Sequence, residues 1–152
     1  MASYKIYKSL FSNDLCDKVA NNFKECSTYA PRGDWNAYDI NKGPLYTEIL
    51  ENFSPAIPYK FTETWINVTE YKKGDYLRNH RDAESSLTLV MEISSAIRGG
   101  RFIINKDTYI KLNKGDAITF KGNNIMHGVE TVEEGSRLSL NMWTYPNTSK
   151  LI

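Results

Sequence analysis

After Pro58 the sequence changes character, and that change limits the fold more than any other feature. Short apolar or alternating segments recur near 61–71, 87–93, 101–105, 108–112, 117–121 and 137–145. Turn-forming residues separate them: Lys73-Gly74-Asp75, Gly99-Gly100, Asn105-Lys106-Asp107, Asn113-Lys114-Gly115-Asp116, Gly122-Asn123-Asn124 and Glu133-Glu134-Gly135. Short strands at this rhythm predict an antiparallel sandwich or barrel. Helical spacing is confined to the first third. Leu15, Cys16, Val19, Phe23 and Cys26 share one face of a helix over 13–26, with Ser12 as its N-cap and Asp14 in its first turn. Leu45, Ile49 and Phe53 do the same over 45–53, before Pro55 and Pro58. Residues 27–43 read as turns. The organisation expected is one domain over 1–152, with a helical buttress over 1–58 and a β core over 59–146.

Two strands can be read face by face, because successive side chains of a strand point to opposite sides. Over 65–71, Trp65, Asn67, Thr69 and Tyr71 oppose Ile66 and Val68. Over 137–143, Arg137, Ser139, Asn141 and Trp143 oppose Leu138, Leu140 and Met142. The aliphatic faces would pack under the helices, and the others would line a cavity. An inward arginine then needs an anion, from a side chain or a ligand.

Overall charge and composition exclude several function classes. The formal net charge is +1, so bulk attraction to nucleic acid or anionic membrane does not lead the reading, and neither partner is expected. Apolar runs are far too short to span a bilayer. The opening MASYKIYKSLF has no apolar signal region. Two cysteines on one helix, Cys16 and Cys26, would lie about 15 Å apart, too far to bridge. A cytoplasmic location follows as the expectation.

The chemistry rests on the two histidines, His80 and His127. In His80-Arg81-Asp82 the imidazole and carboxylate sit at i and i+2, on one side of an extended chain. His127 follows several strands later. Two imidazoles and one carboxylate form a facial triad, which leaves three metal positions open and suits non-haem iron(II). His-Arg-Asp also matches the protein-kinase catalytic loop, but no glycine-rich loop or Asp-Phe-Gly accompanies it. No general base beside the triad supports a zinc hydrolase.

Tyr71–Asp82 resembles the first metal motif of the iron(II)/2-oxoglutarate-dependent oxygenases, in their prolyl 4-hydroxylase-like branch. Gly99-Gly100-Arg101-Phe102, Lys114–Phe120 and Met126–Val132 resemble, in order, the branch's glycine pair, its G-D-x-x-x-F strand and its second metal motif. Residues 4–23 resemble its leading strand and helix. The resemblance implies a double-stranded β-helix (jelly-roll, cupin-like) core, with iron(II) on His80, Asp82 and His127. It implies 2-oxoglutarate on Arg137, with Ser139 adding a hydroxyl and Tyr71 nearby. Asn67 and Trp143 would form the cavity wall. It also implies hydroxylation by molecular oxygen, with 2-oxoglutarate converted to succinate and carbon dioxide. The substrate would be a peptide, a protein or a small molecule, with a peptidyl proline first.

Where relatives often carry a neutral donor, this chain offers Met91 or Glu92. A carboxylate there would compete with 2-oxoglutarate for Arg137 unless it points outward or the register differs. Arg32, Trp35 and Tyr38, in the turn-rich segment, are candidates for a substrate-facing loop. The alternative from another class is a cupin-like metal- or small-molecule-binding module without oxygenase activity.

Overall fold

Pairing between two long strands organises the molecule. In a computed structural model, which describes residues 3–31, 36–57, 61–83 and 87–146, β4 (Phe61–Tyr71) and β13 (Arg137–Pro146) run antiparallel. Tyr71 lies opposite Arg137, and Trp65 opposite Trp143. They sit inside a seven-stranded sheet with β1 (Tyr4–Tyr7), β2 (Thr28–Pro31), β3 (Asn36–Ile40), β6 (Leu87–Ser94) and β10 (Ala117–Phe120). The order across that sheet is β1-β10-β6-β13-β4-β3-β2. A smaller sheet, ordered β5-β11-β8-β9, consists of β5 (Leu77–His80), β8 (Phe102–Ile104), β9 (Thr108–Ile110) and β11 (His127–Val129). A two-stranded ribbon joins β7 (Arg98–Gly99) to β12 (Val132–Glu134). Among the described residues this is a mainly β, antiparallel architecture with two α-helices, the jelly roll expected.

The aliphatic faces go where period-two alternation sends them. Ile66, Val68, Leu89, Met91, Leu140 and Met142 are buried against Leu15 and Val19 of α1 (Asn13–Asn22) and Ile49 and Phe53 of α2 (Pro44–Phe53). Each such side chain stabilises the fold by about 1.5–3 kcal/mol. Ser12 caps α1 by accepting the Leu15 N–H at 3.1 Å. The helix then tightens into a 3-10 turn over Phe23–Cys26. That turn carries Cys26 to the surface while Cys16 stays buried, so the two thiols do not share the buried face expected of a continuous helix. The inner face of the large sheet meets the small sheet over Val90, Phe102, Ile104, Ile118, Phe120 and Val129.

The first 58 residues are more than a helical buttress. β1 pairs with β10, and the hairpin of β2 and β3 extends the large sheet beyond β4. The segment 27–43, read as turns, holds that hairpin. Its strands are short, and Tyr29 packs on Tyr38 at 5.1 Å across the pair. No helix among the described residues is long and apolar enough to cross a membrane.

Asp116 fastens the N-terminal strand to the core. Its buried carboxylate accepts the Ser9 N–H at 2.9 Å, the Asn113 N–H at 3.0 Å and Lys8 Nζ at 3.2 Å. Burial alone would raise its pKa. The two backbone donors and Lys8 outweigh burial and hold the carboxyl below its ordinary value. Its contribution to stability is therefore complete above about pH 4 and falls away as pH drops through the folded-state value. Asp116→Ala should cost about 2–4 kcal/mol in urea unfolding at pH 7, with the loss shrinking towards pH 2.

Candidate metal and cosubstrate site

His80 ends β5, and His127 begins β11 directly opposite it. Their ring centroids are 4.4 Å apart. Each ring is oriented from behind by a backbone carbonyl. His80 Nδ1–H donates to Arg78 O at 2.9 Å, and His127 Nδ1–H to Ile125 O at 2.8 Å. Both Nε2 atoms are thereby left as acceptors aimed at the cavity. Phe120 packs edge-on against His127 at 4.7 Å, which gives the last residue of the G-D-x-x-x-F strand a physical role.

Asp82 bridges the two sheets. Its N–H donates to Gly122 O at 2.9 Å. Its Oδ1 lies 3.3 Å from His80 Nε2 and 3.2 Å from His127 Nε2. Its Oδ2 accepts from Thr88 Oγ1 at 2.8 Å and from the Trp143 indole N–H at 3.0 Å. Protons compete with a metal for this position: burial opposes ionisation of Asp82, but where an imidazole Nε2 carries a proton it donates to Oδ1, and that donation, with the one from Thr88, prevails and holds the carboxyl far below the usual carboxylate range. His80 balances in the same way: burial lowers its pKa, the Asp82 and Arg78 contacts raise it, and the net direction is up.

Three acceptor atoms thus converge within 4.8 Å of one another. Such a cluster repels itself unless a cation stands among its members. The 3.2 and 3.3 Å spacings are close to the roughly 3 Å between neighbouring ligands of an octahedral ion with bonds of about 2.1 Å. The residues present therefore fit a divalent metal held on one face by two nitrogens and one oxygen.

The same cavity reaches Arg137. Tyr71, Thr69, Ser139, Asn141, Val90 and Phe102 also line it. Arg137 is 1% exposed. Its Nε–H donates to Glu92 Oε1 at 2.8 Å, while Nη1 and Nη2, both buried, have no partner. Leaving such donors unpaired costs about 1–3 kcal/mol each, which an anion in the cavity would offset. The Tyr71 ring sits 5.5 Å from the guanidinium carbon. Burial raises the Tyr71 pKa, with Arg137 opposing, so the phenol stays protonated.

The polar face predicted for β4 and β13 forms a hydrogen-bonded ladder. Asn141 Nδ2 donates to Asn67 Oδ1 at 2.9 Å and to Thr69 Oγ1 at 3.2 Å. Ser139 Oγ donates to Asn141 Oδ1 at 3.2 Å and lies 2.5 Å from Thr69 Oγ1. Either hydroxyl can be the donor in the Ser139–Thr69 contact. Asn67 and Trp143 line a shallower recess with Trp65, Asp82, Ala83 and Tyr145. Tyr38 does not line this cavity; it packs on Phe23 and Tyr29, against the helix-side core. Arg32 and Trp35 fall outside the described residues.

Glu92 faces inward, with Thr88 and Val90, while Leu89, Met91 and Ile93 face the helices. Alternation along 65–71 puts Thr69 on this face, but no pattern in the sequence points to Thr88 or Gly122. Gly122 was read only as a turn, yet a Cβ there would collide with Asp82 Oδ2 and Thr88 Oγ1. Its missing side chain makes room for the carboxylate.

These contacts make the support of Asp82 testable. Trp143→Phe and Thr88→Val each remove one donor to Oδ2 and should weaken divalent-metal affinity about 10–100-fold in anaerobic titrations, with circular dichroism unchanged. Gly122→Ala, which intrudes on Oδ2 itself, should weaken it at least as much.

The comparisons agree with this fold. The viral collagen prolyl hydroxylase of Paramecium bursaria Chlorella virus-1, solved with 2-oxoglutarate, superposes with a TM-score of 0.73 at 18% identity, covering 94% of this chain and 95% of that one. A prolyl-4-hydroxylase of Pseudomonas putida gives 0.72 at 13% identity, covering 97% and 94%. HygX of Streptomyces hygroscopicus, solved with nickel and 2-oxoglutarate, gives 0.77 at 11% identity, covering 96% and 84%. At these identities the likeness establishes the fold. No curated protein matches the sequence. The family model of the 2OG-Fe(II) oxygenase superfamily matches residues 66–145. That stretch spans every residue of the cavity just described, and the chain belongs to this superfamily, as an iron(II)- and 2-oxoglutarate-dependent oxygenase.

Proposed function

We propose that His80, Asp82 and His127 hold the iron, that Arg137 binds the far carboxylate of 2-oxoglutarate, and that the enzyme hydroxylates a peptidyl proline. One observation carries the reading. A buried guanidinium with two unpaired Nη groups shares a cavity with three converging metal-binding atoms. One end suits a cation and the other an anion, which is what a chelating dicarboxylate requires. A metal-binding module without oxygen chemistry has no use for the second end, and that alternative gives way.

Bound there, iron(II) with 2-oxoglutarate and dioxygen supplies the oxidation, releasing succinate and carbon dioxide while one oxygen atom enters a substrate C–H bond. The remaining work falls to the chain. The two carbonyl-held imidazoles and the doubly supported Asp82 fix the metal's ligands before it arrives. A planar guanidinium suits two-pronged carboxylate binding. Tyr71, beneath Arg137, and the hydrogen-bonded ladder form a wall that keeps bulk water from the cosubstrate. The strands of the first 58 residues extend the sheet that bears the site, so the two segments act as one domain.

Support for a prolyl substrate comes from two directions. Two structural neighbours carry the name prolyl hydroxylase, and a third is a prolyl hydroxylase solved with a peptide of hypoxia inducible factor. Beside Asp82, Trp65 and Trp143 pack at 5.0 Å and line the recess with Tyr145, and aromatic rings suit a saturated five-membered ring.

Proline-rich peptides should raise 2-oxoglutarate turnover above the substrate-free rate and gain about 16 Da on a proline by mass spectrometry. Turnover without peptide hydroxylation, across a panel of prolyl sequences, would exclude this substrate class. Arg137→Ala should weaken 2-oxoglutarate binding roughly a hundredfold while leaving metal affinity near wild type. Equal loss of both would assign Arg137 to folding.

A further inference from the structure

Arg137 lies next to a carboxylate that ought to compete with the cosubstrate. The two side chains are buried together, 1% and 8% exposed, with Nε 2.8 Å from Glu92 Oε1. The contact uses only one edge of the guanidinium. Glu92 is itself fastened: Ser95 Oγ donates to its Oε2 at 2.7 Å, its N–H donates to Asp116 O at 3.0 Å, and its carbonyl accepts the Gly115 N–H at 2.8 Å. A register shift between Leu138 and Ser139 places Glu92 opposite Ser139, two residues along from Arg137.

The other sides of Arg137 are closed as well. Tyr71 lies near the guanidinium, and Gly100, at φ +69°, lies beside the side-chain stem. A Cβ at Gly100 would come within 3.8 Å of Arg137 Cδ and within 2.9 Å of Val132 Cγ2. The unpartnered edge is the one formed by Nη1 and Nη2.

We infer that Glu92 is a positioning residue: it holds the Nε edge of Arg137 so that the Nη pair is presented to 2-oxoglutarate. This rests on the assignment of Arg137 to the cosubstrate made above. Glu92 does not block the anion site, because it occupies an edge that a carboxylate bound to the Nη pair does not need. It also balances the arginine's charge, so the cosubstrate is selected by the direction of two donors more than by net attraction.

The test separates direction from charge. In anaerobic calorimetry with the iron(II) protein, Glu92→Ala should weaken 2-oxoglutarate binding at least about tenfold, because the freed guanidinium samples other rotamers. Glu92→Gln keeps an acceptor for Nε without the negative charge and should bind at least as tightly as wild type. Wild-type affinity in Glu92→Ala overturns the positioning role, as does Glu92→Gln binding as weakly as Glu92→Ala. A wild-type protein that fails to bind 2-oxoglutarate removes the Arg137 assignment itself, and the inference with it.

Should Glu92→Ala fail to fold, nitrogen-15 spectra of the wild type decide. The Arg137 Nε–H signal should be protected from exchange in the free protein and stay in place as 2-oxoglutarate is added, while the Nη signals move. Displacement of the Nε–H signal by the ligand would mean that Glu92 yields its place, contrary to the inference.

Discussion

Everything in this structure depends on β4 and β13 being paired in one register. Side chains alternate along both strands, so that register sorts them into two populations at once. Ile66, Val68, Leu140 and Met142 meet the helices, and Thr69, Tyr71, Arg137, Ser139, Asn141 and Trp143 line the cavity. A slip of one residue would exchange the two sets, placing Arg137 in the apolar core and Leu138 in the cavity. Hydrophobic burial on one face therefore enforces the polar arrangement on the other.

Asp82 is where that scaffold meets the small sheet. It follows β5 of the small sheet, yet its Oδ2 is held by Thr88 of β6 and Trp143 of β13, both in the large one. The two histidines reach it from paired strands β5 and β11. The metal site is thus a joint between sheets. Its three acceptors have been brought together by contacts that lie outside the ligand set, and their mutual repulsion is a cost of folding that a cation relieves. Arg137 is the counterpart of opposite sign, a buried cation with one edge paired and the other open.

Much of this was legible in the sequence, and the reasons are local. The i, i+2 spacing of His80 and Asp82 needs only an extended chain. The inward face of Arg137, Ser139, Asn141 and Trp143 follows from alternation with Leu138, Leu140 and Met142. What stayed hidden depends on distant contacts. Leu87–Ile93 alternates, with Leu87, Leu89, Met91 and Ile93 on one face and Thr88, Val90 and Glu92 on the other, but which residue Glu92 meets across the sheet is set only by its pairing with β13. Thr88 and Gly122 acquire meaning only when Asp82 arrives from another element. The β2–β3 hairpin was obscured by the turn residues that flank its short strands. Tyr38, grouped by composition with a substrate loop, packs its ring on Phe23 and Tyr29, contacts that its sequence neighbours do not announce.

The central claim is that a cation site and an anion site share one cavity and are bridged by a single cosubstrate. The most direct test adds iron(II) and then 2-oxoglutarate to the metal-free protein under anaerobic conditions and watches for the weak visible charge-transfer band of the chelated complex. The account predicts a band that needs both additions and is absent in His80→Ala and in Arg137→Ala. A band that survives the loss of Arg137, or iron that binds tightly while 2-oxoglutarate never gives a band, would contradict it.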